Sequence, residues 1–283
     1  MTLNIQVVGA NGFIGSHLVE YLQRQGLQVQ AVTRNHSTKP YFNNRIQPTI
    51  YNLTNAQLND ASLSLKKIDT IIFCAGRAHI LKEESKNSLE EYRRVNVELA
   101  LQFLEAAKKS DVRRFIYISS IGVNGNRTHS GMAFNENSPH SPSDLYARSK
   151  LEAEQKLTQL ASNSNTELVI IRPPLVYGPN ARGSFSSLLK LAKTGWPLPL
   201  SNINNQRSFI YIGNLVNFIY TSINHPAAAN QIFIVSDSEN ISTSQLLHRM
   251  RKAMGIKSKL FYSPAWALKI LAYCTGNSDA LKK

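Results

Sequence analysis

In Asp144-Leu145-Tyr146-Ala147-Arg148-Ser149-Lys150, a phenol and an ammonium stand four residues apart. The stretch leads into Leu151-Glu152-Ala153-Glu154-Gln155-Lys156-Leu157, a helix-forming sequence. Positions i and i+4 share a helix face, so Tyr146 and Lys150 are expected to project together. At ~4 Å and an effective dielectric near 20, an ammonium attracts a phenolate by about 4 kcal/mol, which would lower the phenol by roughly three units from its usual ~10. A phenol tuned towards neutrality can exchange a proton with a sugar or alcohol oxygen. The spacing alone is weak, because about one chain in two of this lysine content would show it by accident. None of the other tyrosines has a lysine four residues on. The pair needs a dinucleotide site upstream and a hydroxyl partner nearby.

The elements that would position it follow in order. Leu3 to Val8 reads as a buried strand, running through Gly9-Ala10-Asn11-Gly12-Phe13-Ile14-Gly15 into an amphipathic helix carrying Leu18, Val19 and Leu22. Gly9 permits a tight turn, Gly12 a close approach to a pyrophosphate, and Gly15 close packing of helix on strand. The free amides opening the helix, around Phe13 and Ile14, would face the phosphates. A second strand, Val29 to Thr33, ends at Arg34, and no Asp or Glu occurs from Leu27 to Asn59. NAD-specific sites usually hold the ribose with an acid here, so Arg34 points to the 2′-phosphate of NADP(H). NAD(H), with Arg34 merely solvated, is the alternative. Arg45 to Tyr51 reads as a third strand, ending at Asn52-Leu53, and Asp69 to Cys74 as a fourth, followed by the turn Ala75-Gly76. His79 comes next, either structural or in a substrate pocket. Ser88 to Lys109 fits one long helix with polar Asn96 on it, exposed or bonded to backbone beside the cofactor.

Arg113 to Ser120 is the fifth strand. Ser119 and Ser120 fall at its C-terminal end, where ligands sit in open parallel sheets. A long loop from Asn124 to Asp144 separates them from the Tyr146 helix, and Glu167 to Arg172 is a sixth strand leading into Pro173. This alternation predicts an α/β fold, a Rossmann-type doubly wound parallel sheet, with a smaller C-terminal substrate-binding part. The expected division is a dinucleotide-binding domain over 1–174 and a substrate-binding part over 175–283 that returns some elements to the sheet. In that part a helix is expected near Phe185 to Lys193, a strand at Ser208 to Tyr211, a helix from Gly213 to Asn224, a strand at Gln231 to Val235 and a helix from Ser242 to Met254.

The chain has 283 residues, 42% of them hydrophobic, which suits an ordinary core and argues against disorder. Cys74 and Cys274 are the only cysteines, too few for a disulfide framework, and no basic-then-apolar leader opens the chain. A cytoplasmic location is the simplest expectation. The net charge of +14 is spread without a run of five basic residues, and no nucleic-acid module is recognisable. Small anionic ligands are therefore expected rather than nucleic acid. At most weak peripheral contact with an acidic membrane is expected, through the C-terminal apolar stretch and Lys282-Lys283. No metal site is expected.

With these residues assembled, the chain resembles the extended short-chain dehydrogenase/reductase family, in its nucleotide-sugar epimerase/dehydratase branch, over nearly its whole length. The residues carrying the resemblance are the Gly9, Gly12, Gly15 loop, Ala75-Gly76, Asn96, Ser119-Ser120, Tyr146 with Lys150, Arg172-Pro173 with Tyr177-Gly178, and Arg207 before Phe209-Ile210-Tyr211. The resemblance implies Tyr146 as general acid/base, Lys150 as its partner and a ribose ligand, and Ser120 orienting the reacting oxygen. It places Asn52, Leu53, Ala75, Gly76, Asn96, Ser119 and Pro173 around the cofactor, and Arg207 on the diphosphate of a UDP-sugar. Homodimers are compatible with it.

Departures narrow the activity. Ser120 is followed by Ile121-Gly122 rather than the Asp-Glu pair of dehydratases, and Leu175 stands where UDP-galactose epimerases usually have Asn. The acidic residues usual at Asn52 and Asn214 are missing. Ser119 to Gly125 with Ile170 to Pro179 looks most like a bacterial subgroup of surface polysaccharide synthesis that reduces UDP-4-keto-6-deoxy-N-acetylhexosamines. Such proteins are often labelled UDP-glucose 4-epimerases, and 4-epimerisation is the alternative. A non-catalytic dinucleotide-binding protein is a remoter one. Members of the family continue beyond the position of Lys283, so the resemblance implies a truncated or disordered tail there.

Overall fold

Strands made of continuous Val, Ile, Leu and Phe must be covered on both faces, and parallel pairing with crossover helices achieves this. The computed structural model describes residues 3–33, 49–50, 65, 67–77, 88–129, 131–181, 183–264 and 266. Its main sheet has seven strands, all parallel. In chain order these are β1 (Asn4–Val8), β2 (Gln28–Thr33), β3 (Thr49–Ile50), β4 (Thr70–Phe73), β5 (Arg114–Ile118), β6 (Glu167–Arg172) and, after a short β7 (Leu175–Tyr177) and β8 (Arg207–Tyr211) outside this sheet, β9 (Ile232–Ile234). Their spatial order is β3-β2-β1-β4-β5-β6-β9. The order reverses between β1 and β4, where such sheets bind ligands at their C-terminal edge.

Alternation sorts the side chains. Val8, Val32, Ile71, Phe73, Phe115, Tyr117, Leu168 and Ile170 join one buried cluster with Phe103, Leu104, Ala153 and Leu157. The last four come from α3 (Leu99–Lys109) and α4 (Leu145–Ala161). The intervening Val7, Ile72, Ile116 and Val169 point to the opposite face, and all are buried. Two further helices, α1 (Phe13–Arg24) and α6 (Ile212–Asn224), pack on each other and touch the sheet through β1 and β5.

The helix expected over Ser88–Lys109 is not uniform. It runs as α2 (Ser88–Arg93), a π turn (Arg94–Glu98) and α3. Leu99 N bonds back to Arg94 O, the wider π step.

The chain divides into two units. Unit 1 comprises residues 1–174 and 211–235, and unit 2 residues 175–210 and 236–283. Unit 2 contains α5 (Ser184–Lys193), β10 (Asn240–Ile241), α7 (Thr243–Ala253) and a three-stranded sheet ordered β10-β8-β7. Ala192, Leu247 and Met250 form its core, with α5 and α7 packed together. Ser242 starts α7 with a capping box: its hydroxyl accepts from Gln245 N, while Gln245 Oε1 accepts from Ser242 N. No helix among the described residues is long and apolar enough to cross a membrane.

Candidate active site

The glycine turn is built on close backbone approach. Gly9 has φ +84°, and a Cβ there would lie 2.5 Å from Ala75 N; one on Gly15 would lie 2.3 Å from Gly9 O. Gly9 N and Ala10 N both donate to Val32 O, and Gly12 N donates to Gly9 O. Gly12 caps α1 without a side chain to bond its first amides, and the first turn, with Phe13 and Ile14, holds no acid. These features fit a dinucleotide diphosphate: a cradle that any side chain would fill, and a helix start with no competing carboxylate. Arg34, Asn52, Leu53 and His79 lie outside the described residues.

Asn96 is fully buried on the π turn. Its Oδ1 accepts from Arg77 N (2.8 Å), while its Nδ2 donates to Ser149 Oγ (2.8 Å). Tyr117 Oη donates to Asn96 O (3.0 Å). One amide thus joins the turn after β4, the π turn and α4. Of the two readings of Asn96, the structure takes backbone bonding, not exposure.

Asp144 caps α4 through its side chain, accepting from Ala147 N (2.8 Å). From this start Tyr146 reaches the Ser120 hydroxyl, with which it hydrogen-bonds. Ser120 Oγ also accepts from Gly122 N (3.2 Å), and Ile121 N donates to Pro173 O (3.0 Å). The phenol differs from the sequence expectation. Burial pushes it up to about 12, the Asp144 carboxylate adds to the rise, and the Ser120 hydroxyl opposes it. Lys150 has its charge engaged elsewhere. Its Nζ donates to Ile118 O (2.8 Å) and sits 4.5 Å from the Tyr117 ring centroid. Sharing a helix face set the direction of Lys150, but the strand-end carbonyl and ring captured its charge. Burial lowers the Lys150 amine to about 8, with Cys74 and Glu154 acting in the opposite direction. A Cβ on Gly76 would come within 3.4 Å of Lys150 Nζ, so the missing side chain leaves the amine its room.

One group was not singled out in the sequence. Glu154, four residues beyond Lys150, is buried and pairs with buried Arg172, whose Nη2 donates to Oε2 (2.6 Å) and Nε to Oε1 (3.0 Å). Ser119 Oγ donates to the same carboxylate. Arg172 Nη1 donates to Asn124 Oδ1 (3.1 Å), and its Nη2 lies 3.1 Å from His140 Nε2. A carboxylate on the buried stripe of α4, and an arginine closing an apolar strand, were the available signals. Arg207 belongs to unit 2, where its guanidinium lies 5.5 Å from the Phe209 ring centroid and burial lowers its pKa.

The arrangement in unit 1 can hold a dinucleotide and deliver a proton from Tyr146. Comparison with known proteins gives the family. Residues 5–236 match the NAD dependent epimerase/dehydratase family. A Vibrio cholerae protein named UDP-glucose 4-epimerase is 36% identical over all of this chain and 85% of its own length. An Escherichia coli O157:H7 protein, N-acetyl-alpha-D-glucosaminyl-diphospho-ditrans,octacis-undecaprenol 4-epimerase, is 29% identical over 99% of this chain and 83% of its own. Among solved structures, the Thermotoga maritima UDP-glucose 4-epimerase with UDP-glucose superposes at a TM-score of 0.78, with 22% identity, 93% of this chain and 86% of that one covered.

Proposed function

The chain belongs to the NAD dependent epimerase/dehydratase family, and from that premise we propose that it is an oxidoreductase acting at C4 of a UDP-hexose. The favoured reaction is reduction of a UDP-4-keto-6-deoxy-N-acetylhexosamine, making a sugar for surface polysaccharide. The observation that carries this is the Ser120–Tyr146 hydrogen bond beside buried Lys150. Tyr146 is a phenol whose ordinary value of 10 already keeps it protonated at neutral pH, and burial raises it further, so it carries a proton to donate to a 4-keto oxygen. Ser120 orients that oxygen. Gly9, Gly12 and the first amides of α1 hold the diphosphate of the cofactor, with Ala75, Gly76, Asn96, Ser119 and Pro173 around the rest of it. A bound nicotinamide would supply the hydride. NADP(H) is favoured on the lack of any acid between Leu27 and Asn59. Lys150 would support the phenolate once its proton has gone, and Arg207 would take the substrate diphosphate in a bidentate grip.

The second reading is 4-epimerisation by the same groups with the dinucleotide retained. The names of the Vibrio and Escherichia relatives favour it. Purified protein with NADPH and a UDP-4-keto-6-deoxyhexosamine should consume the reduced-nicotinamide absorbance. If neither NADPH nor NADH is consumed, the reductase reading is wrong. Epimerisation would appear by NMR as interconversion of UDP-hexoses or UDP-N-acetylhexosamines without net cofactor change.

A further inference from the structure

Unit 2 holds twelve lysines and arginines against three acidic residues, Asp237, Glu239 and Asp279, a surplus of nine out of the chain's fourteen. Glu239 is already paired with Arg249. The net positive charge, which forms no long basic run in sequence, is thus carried mostly by one structural unit. Lys193, Lys252, Lys257 and Lys259 are exposed.

The same unit carries most of the large exposed rings among the described residues: Trp196 at 73%, Phe261 at 49%, Tyr262 at 70% and Trp266 at 66%. The backbone brings the segments bearing the first three side by side. Leu198 N donates to Lys259 O (2.9 Å), Phe261 N to Leu198 O (3.0 Å) and Ser201 N to Phe261 O (3.2 Å). Leu198 and Leu260 face each other in this parallel pairing, and Leu198 and Leu200 pack onto the core of α5 and α7. Side chains alternate along extended backbone, so Lys259 and Phe261 flank half-buried Leu260 on the outer side. Fully buried Arg251 fixes the Trp196 end, its Nη2 donating to Trp196 O (2.7 Å) and its Nε to Ala192 O (3.3 Å).

Several large rings left in water beside unneutralised lysines mark an interaction surface. Trp and Tyr, with an apolar body and a polar edge, favour the headgroup level of a bilayer. Lysines beside them snorkel to lipid phosphates and are drawn to an anionic leaflet. Single-stranded nucleic acid also stacks on rings, but the sequence after Trp266, Ala-Leu-Lys-Ile-Leu-Ala-Tyr, continues in apolar character. We propose that this face of unit 2 docks the protein peripherally on an anionic lipid bilayer, with Trp196, Phe261, Tyr262 and Trp266 at the headgroups and Lys257 and Lys259 on their phosphates. The proposal does not depend on which C4 reaction is catalysed.

The chain has two tryptophans, Trp196 and Trp266, both exposed and both in unit 2, so intrinsic fluorescence reports on this unit alone. With vesicles of phosphatidylcholine plus phosphatidylglycerol, the full chain should sediment and its emission should shift to the blue. Pure phosphatidylcholine should bind about tenfold more weakly or less, and sodium chloride should release the protein. Trp196→Ala with Tyr262→Ala, and separately Lys257→Glu with Lys259→Glu, should each weaken binding by about tenfold at an unchanged melting temperature. Absence of sedimentation and of the blue shift overturns the proposal, as does equal binding to both vesicle types. A single-stranded oligonucleotide that produces the shift and displaces vesicles would assign the face to nucleic acid. A dimer in sedimentation equilibrium that Trp196→Ala with Tyr262→Ala dissociates, in protein that ignores vesicles, would assign it to a second copy.

Discussion

Lys150 keeps its ammonium against the Ile118 carbonyl and the Tyr117 ring, and this alters what the Tyr146–Lys150 spacing means. The spacing argument placed both groups in medium dielectric and let attraction dominate. In the structure both are desolvated, and desolvation favours each neutral form, raising the phenol and lowering the amine. The amine's ordinary 10.5 falls to about 8. Between these values the unfolded chain binds more protons than the folded protein, so stability rises with pH across that window. Below it the cost of charging the buried amine, about 3 kcal/mol, is present in full. Relative to Lys150→Met, the wild type should therefore gain roughly that amount from pH 8 to pH 10.5 in urea unfolding. A constant difference across this range would show that the amine is not desolvated. Tyr146→Phe should cut turnover by at least ~10²-fold with dinucleotide affinity retained. An unchanged rate would remove the proton-transfer role.

At the scale of elements, α4 is the hinge of the site because one face presents Tyr146, Lys150 and Glu154 in successive turns. Glu154 ties that helix to the end of β5 through Ser119 and to the end of β6 through Arg172. Removing one member of a buried ion pair leaves the other charge uncompensated, at about 3–5 kcal/mol. Glu154→Gln should lower unfolding stability by that order. Glu154→Met combined with Arg172→Met should recover most of the loss, and failure to recover would mean the pair is not the origin. Gly15→Ala should weaken dinucleotide binding strongly, because its Cβ would meet Gly9 O at 2.3 Å. Titration by fluorescence checks it.

Much of this layer was legible in the sequence. Apolar runs gave β1, β2, β4, β5 and β6 to within a residue or two, and the glycine spacing gave the first turn. The π turn at Asn96 was not legible, since the partners Asn96 finds there, Arg77 and Ser149, lie far from it in sequence. Lys150's partner was not legible either, because spacing fixes direction along one helix and says nothing of the strand beneath. β7 and β10, three and two residues long, are too short to show a period.

At the scale of the whole molecule, the parallel sheet predicts a gradient of protection. Among the described residues, β1, β2, β4, β5 and β6 are paired on both sides, whereas β3 and β9 close the sheet's two ends. Amide exchange should be slowest in β1, β4 and β5 and fastest at those ends. Uniform exchange across the sheet would contradict the observed strand order.

The division into units carries a consequence for how such a protein can change. Residues 211–235 return to unit 1 between two stretches of unit 2, supplying α6 and the edge strand β9. Arg114 donates to the carbonyls of Ser222, Ile223 and His225 at the end of α6, so the returning segment is anchored on a strand laid down a hundred residues earlier. A gene fragment ending at residue 174 would express a sheet with β6 as an open edge, prone to pairing with other chains. A single recombination breakpoint within residues 175–235 would join halves of two different units. Exchange of unit 2 between related genes requires three junctions, at residues 174, 210 and 235, and a chimera made with fewer should misfold.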